Sequence, residues 1–199
     1  MQRLLRIARF IDGLNTAIGR SMVWLILAAT LISAGNAVIR YTLDISSNAW
    51  LELQWYLFSA VFLLAAPYTL LKNEMVRIDV VAGRLSRRTQ VWIDVMGTLL
   101  FLLPMALVLA VLSWPGFVQA LERHEVSSNA GGLVVWPARL LIPIGFALLA
   151  LQGVSELIKR VAFLAGQGPD PGTEERGRTP EELLAEDIAR IRPGGDAAP

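Results

Sequence analysis

Between Glu52 and Val80 the chain passes from aromatic to apolar to charged, and that order constrains everything around it. The stretch opens on Glu52, Gln54, Trp55 and Tyr56 and runs through apolar and small residues to Leu71. It turns polar at Lys72-Asn73-Glu74 and closes on Arg77-Ile78-Asp79. A helix of about 20 apolar residues crosses a hydrocarbon core of about 30 Å. Aromatic rings favour the headgroup level, and lysine marks the end of a span. The pattern predicts a transmembrane helix over 53–71 and then a charged segment lying at the membrane surface. In that segment Met75, Val76, Ile78, Val80, Val81 and Leu85 interleave with Lys72, Arg77, Arg84, Arg87 and Arg88. Such a mixture suits an interface better than bulk water.

Three further apolar runs follow the same logic, over 21–39, 91–112 and 133–158. The basic flank of the first, with Ala34-Gly35-Asn36-Ala37, mimics a secretory signal. A signal core is typically 7–15 residues, shorter than this run, so we read a span. Tyr41 to Leu51 reads as a short connection. Ser86 is placed to cap the third span, Trp114-Pro115-Gly116 to end it, and Trp136-Pro137 to open the fourth. Pro67, Pro104 and Pro143 lie inside spans, where a proline frees a carbonyl and can bend a helix. Gln152, Glu156, Lys159 and Arg160 read as the polar exit from span four.

Before the first span, Leu4, Ile7, Ile11, Leu14 and Ile18 recur every three or four residues, beside Arg3, Arg6, Arg9 and Arg20. This spacing predicts an amphipathic interfacial helix over 1–20, with a flexible basic leader as the alternative. After span four, residues 164–199 are rich in Pro, Gly and charge and are expected to be largely disordered. Within them Thr179-Pro180-Glu181-Glu182 starts like a helix, and Leu184, Ile188 and Ile191 share a face, so a short helix is expected over 180–192. The expected fold is therefore all-α and integral to the membrane, with a four-helix domain over 21–163.

Composition narrows function. Hydrophobic residues make up 54% and charged residues 18%, against about 25% charged in soluble chains. The net charge of +1 gives no reason to expect a nucleic-acid partner. Cysteine is absent, which removes thiolate metal sites, iron–sulfur clusters and cysteine nucleophiles. A single histidine, His124, cannot make a multi-histidine metal centre, and with Glu122 and Glu125 it reads as a solvated loop residue. GxSxG, HExxH and GxxxxGK[ST] are all missing, so no enzyme is expected, and no cofactor or metal.

Charge placement gives orientation. Lys and Arg crowd residues 1–20, the 72–90 loop and the exit at Lys159-Arg160, whereas the other two loops hold Arg40, Arg123 and Arg139. The positive-inside rule then puts both termini in the cytoplasm and the 40–52 and 114–135 loops in the periplasm. Glu52, Asp94, Arg139 and Glu156 all fall near span ends, where an ionisable group costs much less than at mid-bilayer. That leaves a scaffold or accessory subunit as the first reading. The rival is a self-sufficient ion-coupled carrier using Asp94 and Arg139.

Glu52, Trp55 and Tyr56, then Asn73-Glu74-Met75-Val76-Arg77-Ile78-Asp79-Val80, then Gly132-Leu133-Val134-Val135-Trp136-Pro137-Ala138-Arg139 and Ile142-Pro143-Ile144-Gly145 form a recognisable series. Over about residues 1–163 the chain resembles the small membrane subunit of TRAP transporters, the tripartite ATP-independent periplasmic family. Met75 stands where relatives often have histidine. The resemblance implies a bacterial inner-membrane protein working with a large membrane subunit and a periplasmic substrate-binding protein. It implies uptake of organic acids or similar solutes driven by a sodium gradient, with the substrate and sodium sites on the large subunit. Candidate partner-contact residues are then Glu52, Trp55, Tyr56, Asn73, Glu74, Arg77, Asp79, Asp94, Trp136 and Arg139. Residues 73–81 are expected to anchor the scaffold, with Arg77 and Asp79 either paired or bound separately.

Overall fold

Each apolar run becomes a helix longer than the run itself. The computed structural model describes residues 2–44, 47–73 and 85–167. Helix α1 spans Gln2–Leu43 and α2 Asn48–Leu71. Helix α3, Arg87–Gly97, continues through a π-helical turn at Thr98–Leu102 into α4, Leu103–Glu122, and α5 spans Trp136–Leu164. These make 4 helical rods long and apolar enough to cross a membrane. The described residues hold no strand, only a single antiparallel bridge between Val126 and Val134.

Several boundaries differ from the sequence reading. No break separates the amphipathic segment 1–20 from the first span, because nothing between them stops a helix. Gly19 is used for packing, and the Ser21 hydroxyl bonds back to the Ile18 carbonyl. At 42 residues α1 is about 63 Å long, twice the hydrocarbon thickness. The connection to α2 shrinks accordingly and α2 begins at Asn48. Trp114-Pro115-Gly116 does not end the third rod, which runs on to Glu122. There the Trp114 and Phe117 rings pack with centroids 5.4 Å apart. Arg139 Nη1 donates to the Gly116 carbonyl at 3.3 Å. A proline inside a membrane helix is tolerated where neighbours satisfy the backbone around it. Pro104 sits in the first turn of α4, directly after the π turn. Ser86 caps α3 as expected, accepting from the Thr89 N–H at 3.3 Å.

Helix α5 is the centre of the bundle and touches every other helix. Its neighbours approach through small residues. A Cβ on Gly145 would lie 2.8 Å from Leu63 Cβ, and one on Gly153 would lie 2.7 Å from Leu102 Cδ2. Gly19 is likewise closed off by the Tyr68 ring. Burial is inverted relative to a water-soluble core. Ala29, Ala106 and Ala120 are fully buried, whereas Trp24, Phe62 and Phe101 expose 70%, 77% and 75% of their surface. Small residues inside and large apolar residues outside are what helix packing in lipid selects, since lipid solvates the large side chains and close backbone approach supplies the attraction.

Candidate functional site

Polar side chains collect at the two ends of the bundle and leave the middle apolar. Four crossings put the start of α1, the end of α2, the start of α3 and the end of α5 at one end. The end of α1, the start of α2 and the loop 123–135 lie at the other.

At the loop end, Glu52 in the first turns of α2 organises residues 125–135. Its Oε1 accepts from the Ser127 hydroxyl and, at 2.8 Å, from Asn129 Nδ2. Its Oε2 accepts from the Leu133 N–H at 2.7 Å. The loop folds back on itself, with Ser127 N–H bonded to the Leu133 carbonyl and Val135 N–H to the Glu125 carbonyl, both at 2.9 Å. Asn48 Nδ2 donates to the Ala130 carbonyl and the Tyr56 hydroxyl to the Val134 carbonyl. From the far side, Arg139 Nη2 pairs with Glu125 Oε1 at 2.6 Å. One loop is thus tied to α2 by an anion and to α5 by a cation.

At the other end α1, α3 and α5 share a charged network. Asn15 Nδ2 donates to Gln152 Oε1 at 2.7 Å. Gln152 Nε2 donates to Asp12 Oδ1 at 2.9 Å and to Glu156 Oε1 at 3.2 Å. Ser155 donates to Asp12 Oδ1 at 2.7 Å and to the Ala8 carbonyl at 3.2 Å. Glu156 pairs with both Lys159 and Arg160. Lys159 reaches Asp12 at 3.3 Å, and Arg160 Nε reaches Asp94 at 3.5 Å. Gln152, Ser155 and Glu156 are fully buried and Arg160 nearly so. Asn15 Oδ1 is buried without a hydrogen-bond partner among the described residues.

The level of this network follows from the helix contacts. Gly19 meets Tyr68 and Gly145 meets Leu63. Four residues on from Tyr68 is Lys72, and four back from Gly19 is Asn15; eight on from Leu63 and Gly145 are Leu71 and Gly153. The Asn15–Gln152 pair therefore lies level with the last turn of α2, and the charges follow beyond it. Gln152, Glu156 and Arg160 are not a polar exit into solvent: α1 meets Gln152, Ser155 and Lys159 through Asp12 and Asn15, and Asp94 on α3 meets Arg160. Asp12, Asn15 and Ser155 had no signal of their own in the sequence. Together they had one. Asp12, Asn15 and Gly19 fall at helical spacing, as do Gln152, Ser155, Glu156 and Lys159, so two polar faces were available to pair.

The other sequence-predicted residues divide between the ends. Glu52, Tyr56 and Arg139 converge on the 123–135 loop, with half-buried Trp136 at the start of α5 beside them, so three of the candidate contact residues are engaged within the chain. Trp55 points outward. Asp94 belongs to the opposite end. Asn73 closes α2 with φ near 52° and its N–H on the Leu70 carbonyl at 3.1 Å. Glu74, Arg77 and Asp79, the rest of the expected anchor to Val81, and the expected helix 180–192 lie outside the described residues. Among the described residues no group of three or more His, Cys, Asp or Glu is arranged to hold a metal ion.

Residues 29–163 match the family described as tripartite ATP-independent periplasmic transporters, DctQ component. That range begins about two thirds of the way along α1 and ends one residue short of the end of α5. No curated protein and no solved structure matches the chain significantly.

Proposed function

The chain belongs to the DctQ family, the small membrane component of TRAP transporters, and from that premise we propose that it is the static scaffold of a sodium-driven importer of organic acids or similar solutes. It works with a large membrane subunit and a periplasmic substrate-binding protein in the bacterial inner membrane, with both termini cytoplasmic. Sodium and solute bind on the large subunit. One observation supports the scaffold role above others: every buried charged group described lies at an end of the bundle and is paired there. The level between the ends is closed by Ala106, Leu149, Ala150 and Phe146. An ion-coupled carrier needs groups at mid-membrane that two states can expose in turn.

The rival reading, a carrier built on Asp94 and Arg139, is disfavoured by their separation. Arg160 holds Asp94, and Arg139 and Arg160 stand 21 residues apart on one helix, about 32 Å. They cannot share a site. Reconstitution tests the assignment. Proteoliposomes carrying this chain alone, the large subunit alone, or both are given the binding protein, a solute that stabilises it, and an inward sodium gradient. Uptake is expected only where both subunits are present. Sodium-dependent uptake by this chain alone would overturn the scaffold assignment.

A further inference from the structure

The tryptophans of this chain stand at the ends of the bundle with one exception. Trp50, Trp55, Trp114 and Trp136 lie toward the 123–135 loop, and Trp92 is two residues before Asp94 at the basic end. Trp24 lies at mid-depth. Gly19 meets Tyr68, and α1 and α2 run antiparallel, so five residues on Trp24 comes level with Leu63, which meets Gly145. Leu63 is eleven residues from Glu52 and nine from Lys72, and those two stand about 30 Å apart along α2, the thickness of a hydrocarbon core. Trp24 is 70% exposed. It follows Asn15 by nine residues, and at about 100° per residue that puts it on the side of α1 opposite the face that meets α5.

Phe62 and Phe101 are as exposed, and a phenyl ring asks nothing of hydrocarbon. Trp24 carries an indole N–H, which only donates. Among the described residues nothing accepts it. The bundle lies on the far side of α1, and the carbonyls of α1 around Trp24 are taken by helix bonds. Headgroups are out of range. Asn15, level with the end of α2, is nine residues or about 14 Å away, and the ring hangs on two rotatable bonds. Arg20, one turn nearer that end, can extend its stem to the headgroups, as Trp24 cannot. Hydrocarbon at that depth holds no water, and an unmet donor in it is costly. The acceptor then has to come from another protein at mid-membrane. The same side of α1 suits a helix. Ala28 and Gly35 lie within about 40° of Trp24 around the axis. No described atom outside Gly35's own helical surroundings comes within 4 Å of the position its Cβ would take. Small residues beside a large one let a second backbone approach closely.

We propose that this side of α1 docks on the large membrane subunit, which presents an oxygen acceptor to the Trp24 N–H near mid-membrane. The inference rests on the scaffold assignment, which supplies the partner. Both subunits are produced together with Trp24 replaced by p-benzoylphenylalanine, and the membranes are irradiated. A covalent adduct with the large subunit is expected. The dissociation constant of the two subunits is then measured in lipid nanodiscs. Trp24→Phe keeps a ring and removes the N–H, and is expected to weaken the complex at least threefold. Gly35→Leu strikes nothing within this chain and is expected to weaken it at least tenfold. Neither variant should lower the unfolding midpoint of the chain alone, since neither position faces the bundle. An adduct with lipid only, or with a second copy of this chain, overturns the proposal, as does either variant binding as tightly as wild type. These results leave the scaffold assignment standing, because wild type still binds the large subunit. Wild type that does not bind it at all would overturn that assignment and this inference together.

Discussion

Glu52 Oε2 accepts the backbone N–H of Leu133 at 2.7 Å across 81 residues of sequence. The same carboxylate takes Ser127 and Asn129 on its other oxygen, so one side chain on α2 sets the course of a loop between α4 and α5. No neutral residue can replace it fully, because three donors converge on two anionic oxygens.

The first prediction concerns that loop. Glu52→Ala is expected to raise amide hydrogen exchange at Leu133 by roughly tenfold or more and at Ser127 to a lesser degree, since Ser127 N–H keeps its bond to the Leu133 carbonyl. Glu52→Gln retains one acceptor and should fall between. Exchange in 136–164 should stay as in wild type. Unchanged protection at Leu133 in the alanine variant would show that the loop holds its shape without the carboxylate.

Two glycines make a second prediction with opposite signs. Pro67 lacks the N–H that would bond the Leu63 carbonyl, and Gly145 packs directly on that residue, so a Cβ would fall 3.0 Å from Leu63 O. Gly145→Ala must push α2 and α5 apart and is expected to cost about 1–3 kcal/mol, the range of an overpacked core. Gly13, on the free side of α1, has nothing within 4 Å. Gly13→Ala is expected to stabilise by about 0.5–1 kcal/mol through helix propensity alone. Thermal unfolding in detergent reads both. A neutral Gly145→Ala would mean that this helix contact is loose.

The two ends of the bundle differed in how far they could be read from sequence. Glu52, Tyr56 and Arg139 stood out because charge and aromatics at a span boundary are unusual. Their partners did not stand out, since Ser127, Asn129 and a backbone N–H carry no signal until the loop folds. At the other end the residues themselves were visible and their environment was misread. Glu156 and Arg160 follow an apolar run, as polar exits do, and the packing of α1 on Gln152, Ser155 and Lys159 and of α3 on Arg160 turns them into an interior. The continuity of α1 was hidden by a change in pattern near Arg20, from an amphipathic repeat to a uniform apolar run. Hydropathy marks where lipid begins, and a helix has no reason to stop there. The four rods were legible because length and hydropathy alone determine them.

Orientation gives a third prediction. Arg3, Arg6, Arg9, Arg20, Lys72, Arg87, Arg88, Lys159 and Arg160 fall at one end, and Arg40, Arg123 and Arg139 at the other. The basic end should be cytoplasmic. The chain has no cysteine, so single cysteines report without background. In intact cells stripped of the outer membrane, Ser47→Cys and Ser128→Cys should react with an impermeant maleimide. Gln167→Cys should react only after the inner membrane is opened. The reverse pattern would invert the bundle.

The last prediction concerns the buried charges near the end of α5. Glu156 is fully buried and holds Lys159 on one oxygen and Arg160 on the other. Removing it leaves two cations with fewer partners in a space with little water. Breaking a buried pair from one side typically costs about 3–5 kcal/mol, so Glu156→Ala should fall in that range. Arg160→Met takes one cation from the carboxylate, which keeps Lys159 and Gln152, and should cost less than Glu156→Ala. The double variant Glu156→Leu, Arg160→Met removes both members of the pair, while Lys159 keeps Asp12 at 3.3 Å. Its cost should be smaller than the sum of the single costs by about 0.5–3 kcal/mol, the usual scale of coupling between residues in contact. Reversible denaturation in detergent, with the helix content followed by circular dichroism, measures all three. Strict additivity would mean that Glu156 and Arg160 act independently, with Asp94 rather than Glu156 the dominant partner of Arg160. Asp94→Asn would then reproduce most of the Arg160→Met loss. If the pair is coupled as the geometry implies, Asp94→Asn should cost less than about 1 kcal/mol, as expected of a partly exposed partner at 3.5 Å.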